Sequence, residues 1–127
     1  KSPHCFQTWQ YQWGLVLPAN VYVGTTKETN RDSPSEAPIT YMRYAGLAFL
    51  CCPHKFLSLE PLMDFDLEVL IEWIEDIQPE IVEVGADNYG HNLPEPSPGK
   101  VKELLAALSK FVPVVEEKEG LERLKDA

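Results

Sequence analysis

Apolar and polar residues change places along this chain with two distinct periods. At Asn20–Thr26, Val21 and Val23 alternate with Asn20 and Tyr22, the two-residue repeat of a strand. Residues 27–38 are polar and hold two prolines, which marks a loop. From Ile39 to Leu50 the apolar residues fall at helical spacing, weakened by Gly46, and Pro53 closes the segment. Lys55–Leu59 reads as a second strand running into Glu60-Pro61. Leu67, Leu70, Ile71, Ile74 and Ile77 then share one helical face, with Glu68, Glu72, Glu75 and Asp76 off it. Asp64 or Asp66 is placed to cap that helix, and Pro79 stops it. Glu80–Ala86 reads as a third strand, followed by a polar loop to Pro96. Ser97-Pro98 opens a helix with apolar Val101, Leu104, Leu105 and Leu108. Phe111–Glu116 reads as a fourth strand and Gly120–Lys125 as a short last helix.

The strands begin near residues 20, 55, 80 and 112, and each is followed by a helical segment. Such a series predicts an α/β fold with a parallel sheet and right-handed crossovers. A complete (β/α)8 barrel takes about 250 residues. Four βα units therefore predict a partial, half TIM-type barrel over residues 19–127, preceded by an irregular aromatic segment at 1–18. A small open α/β sheet, complete as it stands, is the alternative.

Composition narrows the function more than the fold. Of 127 residues, 44% are hydrophobic, enough to bury a core and to exclude global disorder. No apolar run approaches the ~20 residues that span a bilayer, and no secretory leader is visible. The chain opens at Lys1, and the expectation is a fragment. Twenty acids against 11 bases leave a formal charge of −9, and the lysines and arginines are scattered among the acids. A phosphate backbone would be repelled, so no nucleic-acid partner is expected. Cys5, Cys51 and Cys52 make a poor disulfide framework, which points to thiols in a reducing cytoplasm. Cys51, Cys52 and His54 form a C-C-x-H run without a second ligand pair, so partly buried thiols are favoured over a metal site.

In parallel α/β folds ligands bind where the strands end. That rule selects Thr25, Thr26 and Glu28 after the first strand, and Glu60, Asp64 and Asp66 after the second. It selects Asp87, Asn88, His91 and Asn92 after the third, and Glu116, Glu117 and Lys118 after the fourth. Several have plainer readings. Asp64 and Asp66 suit helix caps, Asn88, Gly90 and Asn92 suit turns, and residues 116–119 suit a solvated face. Glu60 is harder to set aside, because a carboxylate closing an apolar strand needs a partner. The ligand-binding candidates are thus Thr25, Glu60, Asp87, Asn88 and His91. No glycine-rich phosphate loop, nucleophile elbow or H-E-x-x-H helix occurs.

The runs K-F-L-S-L-E-P-L-M-D-F-D (Lys55–Asp66) and W-I-E-D-I-Q-P-E-I-V-E-V-G-A-D (Trp73–Asp87) resemble the C-terminal half of radical-SAM-like proteins of phages and prokaryotes. L-P-A-N-V-Y-V-G-T-T (Leu17–Thr26) and N-L-P-E-P-S (Asn92–Ser97) extend the resemblance over residues 17–118. The resemblance implies a partial barrel whose N-terminal half carries C-x3-C-x2-C or a similar triplet. Those cysteines would hold a [4Fe–4S] cluster that cleaves S-adenosylmethionine. No such triplet stands in this sequence. Cluster and S-adenosylmethionine are therefore expected in a full-length relative, with no cofactor in this chain. By strand end, the resemblance puts Thr25, Glu60, Asp87 and Asn88 near S-adenosylmethionine or substrate. The leading expectation is a truncated member, inactive alone; the partners expected are the missing N-terminal half or, in a homodimer, a second copy. A self-associating α/β module without enzymatic activity comes next. A metal-dependent hydrolase using Glu60, Asp87 and His91 comes last.

Overall fold

Short stretches of four to six residues form the strands here, and runs at the helical period produce the segments between them. The computed structural model describes residues 16–31 and 39–126. Most of the aromatic segment at 1–18, and Cys5 with it, lies outside the described residues. In chain order the elements are β1 (Tyr22–Thr26), α1 (Thr40–Ala48), β2 (His54–Leu59), α2 (Leu67–Ile77), β3 (Ile81–Val84), α3 (Pro98–Leu108), β4 (Val114–Glu117) and α4 (Glu122–Asp126).

The boundaries differ from the sequence reading for local reasons. A turn closed by Val21 N–H to the Pro18 carbonyl (3.1 Å) delays β1 to Tyr22. β4 begins at Val114 because Phe111 and Val112 still donate to Leu108 as the last turn of α3. Ser97 caps α3 as expected: its side chain accepts from Lys100 N–H at 3.4 Å, with Pro98 in the first turn. Asp66 occupies the cap position of α2 but makes no capping hydrogen bond, because its carboxylate is taken by Arg31 and Asn30. That helix ends at Gln78, which turns the chain in the left-handed region at φ 54° before Pro79.

The four strands are parallel and adjacent in chain order, β1-β2-β3-β4. Strand crossovers of this kind are right-handed in nearly all proteins. When each new strand is added on the same side of the last, that hand returns every helix to one face of the sheet. The burial pattern agrees. Val23, Lys55, Leu57, Leu59, Val82 and Val84 are buried, while Tyr22, His54, Phe56, Ser58, Ile81 and Glu83 between them are half-buried or exposed. The buried face forms one core with Leu47, Leu70, Ile74, Ile77, Val101, Leu104, Leu108, Leu121 and Leu124 from the helices. Among the described residues, no helix is long and apolar enough to cross a membrane.

Truncation should therefore cost differently on the two faces. Ile74→Ala, at a fully buried position, should lower unfolding free energy by about 2–5 kcal/mol. Tyr22→Ala, at a position 53% exposed, should cost about 1 kcal/mol or less. Urea denaturation of the two variants checks this, and equal losses would contradict the one-sided core.

Candidate functional site

The strand ends collect carboxylates, but the structure sorts them into two kinds. Arg31, on the loop after β1, reaches Asp64 at 2.6 Å and Asp66 at 2.7 Å. Lys100 at the start of α3 holds the other Asp64 oxygen at 2.6 Å. The Arg31 hydrogen bonds, with Asn30, pull the Asp66 carboxyl down to about 2, and Lys100 with Arg31 holds Asp64 below its usual range. Asp66 thus ties the first two loops together, and Asp64 ties both to α3.

Glu60 belongs to the other kind. It continues the open-face parity of Phe56 and Ser58 past the end of β2. Its carboxylate lies 2.8 Å from the Lys118 ammonium, which is also 3.4 Å from Glu83 on β3. The Glu60 hydrogen bond is the main cause of a raised Lys118 pKa, with Glu83 adding to it. The Glu60 side chain passes directly over Gly85, where a Cβ would stand 2.8 Å from its carboxyl carbon. A glycine at that position is what lets a carboxylate from β2 cross β3 toward a lysine after β4. All three side chains keep between 23% and 38% of their surface exposed, so the group remains accessible.

Next to it, Asp87 is wrapped by its own loop. Its side chain, only 6% exposed, accepts from Tyr89 N–H (3.0 Å), His91 N–H (2.6 Å) and His91 Nδ1 (2.7 Å). Burial pushes the Asp87 carboxyl up, but these donors outweigh it and hold the pKa below the ordinary value. An ionised Asp87 assigns the proton to Nδ1 of His91 and leaves Nε2 as the basic nitrogen on a ring that is 61% exposed. Glu60, Pro61, Ala86, Asp87, Asn88, Tyr89 and His91 line one cavity of about 250 Å3.

The structure thus brings Glu60, Asp87, Asn88 and His91 together at one rim. Thr25 is not among the lining residues. Its register partner is Leu57, so it shares the helix-covered face, and Thr26 takes the open-face position. Asn88 also pins the rim, donating to the Glu119 carbonyl at 3.0 Å, with Gly120 beneath it at φ 93°. A second, larger hollow of about 560 Å3 continues past Asp87 and Asn88 to Glu95 and Arg123, which form a fork at 2.6 and 2.9 Å.

The residues at the opposite end of the sheet do not join this rim. Cys51 and Cys52 are thiols ahead of β2, with the Cys52 sulfur directed at the Val21 and His54 carbonyls. His54 bonds Glu80 at 2.6 Å and stacks on Tyr22. Among the described residues, no three histidine, cysteine, aspartate or glutamate side chains are grouped to hold a metal ion, Glu60, Asp87 and His91 included. The two described cysteines, adjacent in sequence and away from the rim, do not fit a cysteine-bound iron–sulfur cluster.

No protein-family model, curated protein or solved structure matches the chain.

One buried group escaped the sequence reading. Lys27 follows β1 in a stretch that reads as polar loop, yet it is fully buried. Its ammonium donates to the Thr40 carbonyl at 2.6 Å and lies 4.2 Å from the Trp73 ring centre. Burial, then the nearby Arg43 guanidinium, lowers its pKa to about 7, against a weaker opposing pull from Glu28. Arg43 and Glu28 form an ion pair beside it at 2.9 Å.

A lysine depressed in the fold binds its proton more tightly in the unfolded chain. Between about pH 7 and the ordinary lysine pKa of 10.5, stability should therefore rise with pH, by up to about 1.4 kcal/mol per unit. Lys27→Met should flatten that slope. Denaturant titrations from pH 6 to about 10 measure it, and a slope unchanged in the variant would contradict the assignment.

Proposed function

We propose that this chain is one half of a radical-SAM-like (β/α) barrel whose strand-end rim binds the polar end of a small ligand, the radical chemistry being supplied by the other half. The observation that carries the reading is the singly wound parallel sheet, with helices on one face and polar strand ends on the other. A barrel has that arrangement, its inner face closed by further strands and its ligand site at the carboxyl ends. A doubly wound sheet would instead reverse its strand order and cover both faces.

The rim chemistry supports an amino-acid-like ligand end. Glu60 and Lys118 present opposite charges 2.8 Å apart, which matches an ammonium and a carboxylate held on neighbouring atoms. S-adenosylmethionine, which the sequence resemblance implies, carries such an end. The exposed nitrogen of His91, oriented by Asp87, is placed to accept a proton at the same cavity.

Titrating S-adenosylmethionine into isotope-labelled chain should shift backbone signals at Glu60 and Gly85–His91. Glu60→Gln and Asp87→Asn should each weaken binding about tenfold, the effect of losing a hydrogen bond to a charged group. Iron and sulfide reconstitution of the chain alone should give no cluster absorbance. A stoichiometric cluster, or signal changes scattered away from the rim, would contradict the proposal.

A further inference from the structure

We infer that the open face of the sheet docks a second βα half that is apolar at mid-height and basic at its carboxyl end, and that a second copy of this chain is the wrong partner for it. The inference rests on the barrel-half reading above and adds what the missing half must present.

Register divides the open face into rows. Gly24, Phe56, Ile81 and Val114 stand side by side across all four strands. This row is apolar, and Val114 is 50% exposed. One row nearer the carboxyl end stand Thr26, Ser58, Glu83 and Glu116. Beyond them Glu60 and Lys118 meet over Gly85. Apolar surface of this kind favours burial against a matching apolar layer, as in the stacked layers of a barrel interior. The strands that would carry it can continue from the sheet edges at β1 and β4.

Charge decides what closes the face. Glu60, Glu83 and Glu116 stand against a single ammonium, Lys118, which already lies 2.8 Å from Glu60 and 3.4 Å from Glu83. The carboxyl end of each face thus carries an excess of two negative charges. Two copies closed face to face would enclose twice that excess away from water, where like charges and unpaired carboxylates are costly. A half with lysine or arginine at the level of Glu83 and Glu116 removes the excess and leaves the apolar rows in contact.

A charge-reversed copy serves as the basic half. Glu83→Lys with Glu116→Lys makes that end of the face as positive as it is negative in the wild type, with Lys118 and Glu60 unsubstituted. Sedimentation velocity should show each chain alone as a monomer. The mixture should form a 1:1 heterodimer, on the order of 100-fold tighter than either chain with itself, and weakened by salt. Circular dichroism checks that the variant is folded. If it is not, Glu116→Lys alone gives a neutral face and should self-associate more than wild type. Wild-type chain that dimerises through Phe56 and Ile81 overturns the charge argument and leaves the barrel-half reading standing. A mixture of folded chains that stays monomeric overturns both. If residues 1–15 cross-link onto the face, the chain covers it itself and the inference falls.

Discussion

The hand of the strand crossovers governs this molecule. Each βα unit adds its strand beside the previous one in the same direction, and a right-handed return then has only one face on which to lay its helix. Four repetitions concentrate the core between helices and sheet, where Leu57, Leu59, Val82 and Val84 are fully buried. Among the described residues they also leave the alternate side chains of each strand without a helical cover, and they place the strand ends at a common rim. The core, the open face and the candidate site are three consequences of one chiral constraint.

Electrostatics then distributes work along that rim. An excess of acids would repel itself if left unpaired. Arg31 and Lys100 absorb Asp64 and Asp66 and bind the first loops to α3. Arg123 absorbs Glu95 and reaches the Asp87 carbonyl. Glu60 and Lys118 remain partly exposed as a facing pair, and Asp87 is buried under its own loop with His91 outward. Structural ion pairs and candidate ligand groups thus lie within one loop layer. Glu60, Asp87 and His91 differ from the rest in lining one cavity.

The strands, the helices and their parallel order could be read from periodicity, because apolar spacing is dictated by the face each residue must bury. The importance of Glu60 was also legible, since a charge ending an apolar strand demands a partner. Its partner was harder to see. Lys118 sits among acids in a run that reads as solvated surface, and only sheet order carries it across β3 to Glu60. Gly85 offered a signal, because an isolated glycine at a strand end often marks a close approach. Asp66 stands at the cap position its sequence setting suggests, but its carboxylate is taken by Arg31, a long-range contact that no local pattern encodes. Lys27 was hidden for the same reason: its neighbours in sequence are polar, whereas Tyr44 and Trp73 enclose it in space.

Among the described residues, helices cover one face of the sheet and leave the other open. Paramagnetic relaxation of side-chain methyl signals by a soluble gadolinium chelate reads that difference directly. Ile81 and Val114 should broaden strongly, while Leu57, Val82 and Val84 remain sharp. Equal protection of the two sets, or broadening of Leu57 and Val82 instead, would contradict the account.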